Sequence, residues 1–194
     1  MATLALSQEQ YITIIETILS GFEYNGRKYK PNLQIAMILQ LEANLGMRCG
    51  DILRISYGSI KRDGDRYIID MIEEKTNKSR RRFTVDDEVY ETIAKYFIKN
   101  NLRPQDKLFN ISLRQVQRFL KDVCLYLGYE NISTHSFRKY CATKMYINSD
   151  HDIELVREFL QHSSVAITQK YLNMGSKRLE KAIKQNTEII FKDF

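Results

Sequence analysis

The sequence predicts a mostly helical α+β fold with one small three-stranded antiparallel sheet. Apolar residues recur at helical spacing through most of the chain, and polar residues that cap helices precede several of these segments. Short alternating segments separated by turn-forming residues occur together in one region, residues 57–85. The chain has 194 residues, of which 43% are hydrophobic, and this is enough to bury one substantial core.

Capping signals define the first helices. Ser7 followed three residues later by Gln10 is a capping-box pattern, and it predicts a first helix that ends before a polar loop over residues 21–30. A second helix is expected to have Pro31 in its first turn and to end before Gly46. Proline suits the first turn of a helix, and glycine suits the left-handed position after the last turn.

The predicted sheet follows a short helical segment that runs from about residue 48 to residue 55. Its strands are expected over residues 57–61, 67–72 and 80–85. Asp63-Gly64 supplies the first turn, and Thr76-Asn77 supplies the second. The second turn is therefore expected at the tip of a hairpin.

The part of the chain after the sheet is predicted to be helical, because apolar residues there recur every three or four positions. These helices are expected over residues 86–99, 112–127, 134–147, 153–160, 165–173 and 177–190. The last of them has an apolar side that suits packing on its own body or on a neighbouring protomer.

The helix predicted over residues 112–127 separates cleanly into two faces. An apolar stripe contains Leu113, Val116, Leu120, Val123 and Leu127, and the opposite side carries Arg114, Arg118 and Lys121. This basic face suits either exposure to solvent or contact with DNA. In the second case Gln115 and Gln117 are candidates to meet base edges in the major groove.

The composition narrows the class of protein. A formal net charge of +6 makes a polyanion a plausible partner without requiring one. Cys49, Cys124 and Cys141 are widely spaced and odd in number, so we expect buried, reduced thiols rather than disulfides or a metal site. The sequence shows neither a signal-peptide pattern nor an apolar run long enough for a membrane span, which predicts a cytoplasmic protein without membrane contact.

Two segments near the C-terminal end carry the residues with the strongest chemical pattern. The first is Thr134-His-Ser-Phe-Arg-Lys-Tyr-Cys-Ala-Thr143, in which His135 and Arg138 are three residues apart and share a helical face. The second is Leu160-Gln-His-Ser-Ser-Val-Ala-Ile-Thr-Gln-Lys-Tyr171, in which Tyr171 follows His162 by nine residues. This arrangement resembles the tyrosine recombinases of the phage integrase type, whose pattern is His-x-x-Arg, then Leu-Gly-His-Ser-Ser, then a tyrosine nucleophile.

Two further motifs of that family resemble earlier parts of this chain, so the resemblance spans about residues 30–175. Gly46-Met-Arg48-Cys-Gly-Asp51 is similar to the segment that carries the family's first catalytic arginine. Glu74-Lys75-Thr-Asn-Lys78 is similar to the hairpin turn that carries its catalytic lysine. The resemblance implies an integrase-type catalytic domain over residues 1–194. It also leads us to expect a fragment, because the family's N-terminal DNA-clamping domain has no counterpart here.

The resemblance implies a reaction that needs neither a metal nor ATP nor another cofactor. Arg48 and Arg138 are the candidates to clamp the scissile phosphate, since a guanidinium stays charged and contacts two phosphate oxygens. Tyr171 is implied as the nucleophile that forms a 3′-phosphotyrosine. His135 and His162 are implied to orient or share protons with the phosphate and the tyrosine.

Supporting roles follow from the same resemblance. The family's order favours Lys75 over Lys78 as the general acid for the 5′ oxygen, and Lys78 is then expected to contact DNA. The run Arg80-Arg81-Arg82 suits either solvated strand ends or contacts to the DNA backbone. Asp51 is expected to support the pocket, although it is shorter than the family's glutamate. Gln161 stands where the family has glycine.

The partners implied are double-stranded DNA with attachment sites and, in the full-length protein, further copies that form a tetramer on DNA. A type IB topoisomerase or a resolvase shares this chemistry. A DNA-binding module with degenerate chemistry and a basic structural domain without a DNA role are the alternatives from other classes.

Overall fold

The computed structural model describes residues 4–72 and 80–172. In this part of the chain it has eight α-helices and two small antiparallel sheets, which confirms the predicted mostly helical α+β fold. The chain divides into two compact units, Met1–Cys141 and Ala142–Phe194, and each is described by itself.

The first helix of the first unit is α1 (Gln8–Ser20). Its predicted capping box is confirmed. The Ser7 side chain accepts a hydrogen bond from the Gln10 amide, and the Gln10 side chain accepts one from the Ser7 amide. The helix α2 (Leu33–Leu45) is capped by Asn32, whose side chain accepts from the Ile35 amide at 3.0 Å. The expectation that Pro31 lies in the first turn is therefore wrong, since Pro31 precedes this cap.

The polar loop expected over residues 21–30 is instead a small hairpin, formed by β1 (Phe22–Tyr24) and β2 (Arg27–Tyr29). Asn25 and Gly26, with φ angles of 48° and 70°, form its turn. The Phe22 and Tyr29 rings stack with their centroids 4.3 Å apart, so aromatic packing stabilises strands of only three residues.

The predicted three-stranded sheet is confirmed in the order β3 (Ile60–Asp63), β4 (Arg66–Ile72), β5 (Arg80–Val85). Residues 57–59, expected to start its first strand, form a 3₁₀ turn. The chain reverses at Gly64, which has a φ angle of 63°. The turn expected at residues 76–77 lies outside the described residues.

Two further helices of the first unit match their predictions closely. The helix α4 (Asp87–Lys99) is capped by Asp86, and α5 (Leu113–Tyr126) begins with a capping box between Ser112 and Gln115. The short α3 (Cys49–Ile52) follows α2 directly and ends before residue 55, where it was expected to end.

The core of the first unit surrounds α2, which is buried on most of its circumference. Phe137, in α6 (Thr134–Asn148), is fully buried in this core and meets the Tyr11 ring edge-on at 6.2 Å. Cys49, Cys124 and Cys141 are buried, and none forms a disulfide.

The second unit contains α7 (Ile153–Leu160) and α8 (Val165–Tyr171), which pack around buried Val156 and Leu160. The helix expected over residues 177–190 lies outside the described residues. No helix within residues 4–72 and 80–172 is long and apolar enough to cross a membrane.

Candidate active site

Arg48 is placed by the end of α2. Gly46 adopts the left-handed conformation (φ 58°, ψ 17°) that ends this helix, as the sequence predicted. Met47 is fully buried and anchors the turn, and Arg48 follows in an extended conformation as the N-cap of α3. The next helix therefore starts at the arginine, whose side chain is half-buried.

Arg48 and His135 line the same surface pocket of about 320 Å³. Asp51 also lines it and is only 3% exposed, whereas His135 is exposed. Residues from α3, α5 and the start of α6 complete the wall: Cys49, Gly50, Leu113, Gln117 and Thr134. Three of the residues expected at an active site therefore lie together.

Arg138 is almost fully buried, with 2% of its surface exposed. Its guanidinium donates a hydrogen bond to the carbonyl of Gly46, two residues before Arg48. This bond joins α6 to the turn that presents Arg48. Because both expected arginines depend on the turn at Gly46, their positions are linked.

Glu42 is a residue of this site that sequence reasoning did not identify. It lies one turn before Gly46 on α2 and is 0% exposed. Burial raises the pKa of its carboxyl well above the ordinary value, and the Arg138 charge and the nearby Cys49 amide lower it by less. Neither carboxyl oxygen reaches hydrogen-bond geometry with any residue in 4–72 or 80–172.

The predicted basic face of α5 is exposed at Arg114, Arg118 and Lys121. Gln117, from the same helix, lines the pocket with Arg48, so this face borders the pocket. The Gln115 side chain is committed to the helix cap, where its Oε1 accepts from the Ser112 amide at 2.9 Å. Of the two glutamines expected to meet bases, only Gln117 therefore lies at the pocket.

The second unit brings His162 and Tyr171 together, with their ring centroids 5.3 Å apart at 77°. His162 follows Gln161, whose left-handed backbone (φ 55°) ends α7, so the glutamine adopts the conformation that glycine favours. The His162 amide donates to the Arg157 carbonyl at 2.9 Å, which fixes the histidine backbone. The Tyr171 hydroxyl oxygen is buried.

The remaining expected residues belong to the predicted hairpin tip and its neighbour. Lys75 and Lys78 lie outside the described residues. Arg80 begins β5, paired with Ile72. The predicted roles of these three residues stay predictions.

The pattern of the phage integrase family matches residues 6–178. The chain belongs to this family. This confirms the resemblance that the motifs around Arg48, Arg138 and Tyr171 suggested.

Curated relatives agree with this membership. Tyrosine recombinase XerC of Corynebacterium glutamicum is 29% identical over 160 residues, covering 77% of this chain and 50% of the relative. The probable integrase/recombinase YoeC of Bacillus subtilis is 26% identical over 148 residues, covering 73% of this chain and 78% of the relative. The chain thus spans about half the length of the XerC relative.

Solved structures share the fold. The XerH recombinase in a post-cleavage complex with its difH substrate has a TM-score of 0.68 at 20% identity, covering 93% of this chain and 52% of that one. The catalytic domain of bacteriophage HP1 integrase has a TM-score of 0.64 at 18% identity and covers 95% of each chain. These similarities confirm an integrase-type catalytic fold.

Proposed function

We propose that this chain is the catalytic part of a site-specific DNA recombinase, which cuts and rejoins DNA through a covalent 3′-phosphotyrosine without a metal or ATP. The observation that carries this proposal is the arrangement at Gly46. Arg138 donates to the Gly46 carbonyl, and the same turn places Arg48 in a pocket with His135. Membership of the phage integrase family supports a recombination reaction.

The arginines are proposed to bind the scissile phosphate. During in-line attack, negative charge grows on the non-bridging oxygens, and preorganised cationic donors stabilise it. A buried guanidinium held by a backbone carbonyl loses little freedom when the phosphate arrives. Arg48 and Arg138 therefore stabilise the transition state, and His135 adds a donor at the wall of the same pocket.

Tyr171 is proposed to attack the phosphorus and to become linked to the 3′ end. A phenol with an ordinary pKa of about 10 is a weak nucleophile at neutral pH, so it needs a proton acceptor or a cationic setting. His162 packs against the Tyr171 ring and is proposed to orient the tyrosine or to share a proton with it. Lys75 is the proposed general acid for the leaving 5′ oxygen, and Asp51 supports the pocket.

The proposed partner is double-stranded DNA that contains attachment sites. Arg114, Arg118 and Lys121 form an exposed basic face that begins beside the pocket, so a duplex with its phosphate at Arg48 also meets α5. A homotetramer on DNA is proposed for the full-length protein. We also propose that the protein acts in the cytoplasm.

The test is covalent trapping on suicide DNA duplexes, nicked near candidate cleavage positions so that rejoining fails. Wild type is compared with Tyr171→Phe and with Tyr146→Phe, a matched control on α6 whose ring packs against His151. We expect an adduct with wild type and Tyr146→Phe and none with Tyr171→Phe. An adduct that persists in Tyr171→Phe would refute the assigned nucleophile, and DNA binding without any adduct would favour a binding module.

A further inference from the structure

The helix α8 contains one polar side chain that is completely buried, and it belongs to Thr168. Thr168 precedes Tyr171 by three residues, so the two side chains lie on the same face of the helix. Its Oγ1 lies 3.1 Å from Nδ1 of His162. The contact therefore joins the buried threonine to the histidine that packs against the tyrosine.

The direction of this hydrogen bond follows from the acceptors that lie within hydrogen-bond distance of the Thr168 hydroxyl. Among residues 4–72 and 80–172, Nδ1 of His162 is the only hydrogen-bond partner of the Thr168 hydroxyl. A buried hydroxyl has one proton to donate, and a buried donor without an acceptor is strongly disfavoured. If Nδ1 carried the proton and donated it, the hydroxyl proton of Thr168 would be left without an acceptor. The hydroxyl therefore donates, and Nδ1 accepts.

We propose that Thr168 is a positioning residue that holds neutral His162 in the tautomer with its proton on Nε2, with the imidazole ring oriented beside Tyr171. A neutral imidazole carries one proton, so an accepting Nδ1 places that proton on Nε2. His162 then offers an N–H donor on the far side of its ring. The consequence for catalysis rests on the function proposed above: His162 acts as a hydrogen-bond donor to developing negative charge.

Rigid placement of both partners strengthens this assignment. The Ser164 side chain caps α8 by accepting from the Ile167 amide at 3.4 Å, and the His162 carbonyl accepts from Arg157 at 3.2 Å. The imidazole meets the Tyr171 ring at 77°. Rotation of the imidazole would break the bond to Thr168 and this edge-to-face contact together.

The experiment reads the tautomer directly by ¹⁵N NMR of histidine-labelled protein at a pH where the imidazoles are neutral. The chain has three histidines, and the signals lost in His162→Gln assign the ring of interest. Thr168→Val removes the hydroxyl at nearly the same shape, and Thr168→Ser keeps it. We expect the Nε2–H tautomer in wild type and in Thr168→Ser, and a mixture of tautomers in Thr168→Val. An Nδ1–H tautomer in wild type would overturn the proposal, whether or not Thr168→Val folds.

Covalent trapping on the suicide substrate gives the second readout. Adduct formation is expected to slow by about tenfold in Thr168→Val, the scale that the loss of one hydrogen bond gives, and to recover in Thr168→Ser. If no variant forms an adduct while the tautomers behave as expected, the proposed function fails and the Thr168 assignment stands. If adducts form equally in all variants and Thr168→Val keeps a single Nε2–H tautomer, the assignment fails and the function stands.

Discussion

Replacing Glu42 with glutamine is expected to shift the stability difference between variant and wild type in favour of the variant as pH rises. Burial raises the pKa of the Glu42 carboxyl well above its ordinary 4.5, so the folded state holds this proton more tightly than the unfolded state does. The stability contributed by the neutral carboxyl is complete below the unfolded pKa and is lost as pH rises through the folded pKa. Glutamine does not titrate, so in this window the difference in free energy of unfolding grows by up to about 1.4 kcal/mol per pH unit.

Urea denaturation followed by circular dichroism between pH 4 and pH 9 measures this difference, and the exposed Glu16→Gln on α1 is the control, for which we expect no comparable rise. The opposite sign has a definite meaning. If Arg138 held Glu42 as a buried ion pair, Glu42→Gln would lose stability relative to wild type as pH rises. A flat or falling difference would therefore refute the argument that desolvation of Glu42 outweighs the Arg138 charge.

Three further predictions concern the arginines and the core. Arg138→Lys is expected to slow adduct formation by about 100-fold or more, because one ammonium cannot both hold the Gly46 carbonyl and bind two phosphate oxygens. Single-turnover trapping measures the rate of adduct formation, and a loss below about fivefold would contradict the prediction. Arg118→Ala is expected to weaken DNA binding and to flatten the slope of log affinity against log salt by about 0.9, so an unchanged slope removes the basic face of α5 from the interface. Phe137→Ala is expected to lower the free energy of unfolding by about 3–5 kcal/mol. Leu125→Ala, at a side chain that is 49% exposed, is the control and is expected to lower it less. Equal decreases in the free energy of unfolding, measured by urea denaturation, would contradict the assigned core.

Features determined by nearby residues could be predicted from the sequence. The caps at Ser7 and Ser112 and the stop at Gly46 depend on three or four consecutive positions, and the structure has all of them. The order of the family motifs made Arg48 and Arg138 site candidates without any three-dimensional information, and their catalytic roles stay predictions.

Two features differ from the expectation although the sequence contains a local signal for each of them. The hairpin at residues 22–29 contains Asn25-Gly26, a strong turn pair, but three-residue strands rich in charge do not show an alternating pattern. Gln115 is a candidate for base contacts by its position beside the basic face, but its place three residues after Ser112 commits its side chain to the helix cap. The turn pair at Asn25-Gly26 and the capping-box spacing from Ser112 to Gln115 are each sufficient to predict the structure that is found.

Long-range contacts could not be predicted in this way. Glu42 is one acid in an apolar helix, and a sequence does not show that its position faces Arg138, almost a hundred residues later. The bond from Thr168 to His162 depends on how tightly the chain turns between α7 and α8, which no periodicity reports. Residues such as Glu42 and Thr168 can be identified only from the burial of their side chains and their distances to other groups in the structure.

The most direct test of the central claim is to identify the residue that carries DNA after trapping. Trypsin cuts after Lys170 and Lys177, so it releases Tyr171 in a short peptide, and nuclease treatment leaves a nucleotide remnant on the linked residue. Mass spectrometry of wild-type adduct is predicted to find this remnant on Tyr171, joined through a 3′-phosphate. A remnant on any other residue, or joined through a 5′-phosphate, would contradict the proposed recombinase chemistry.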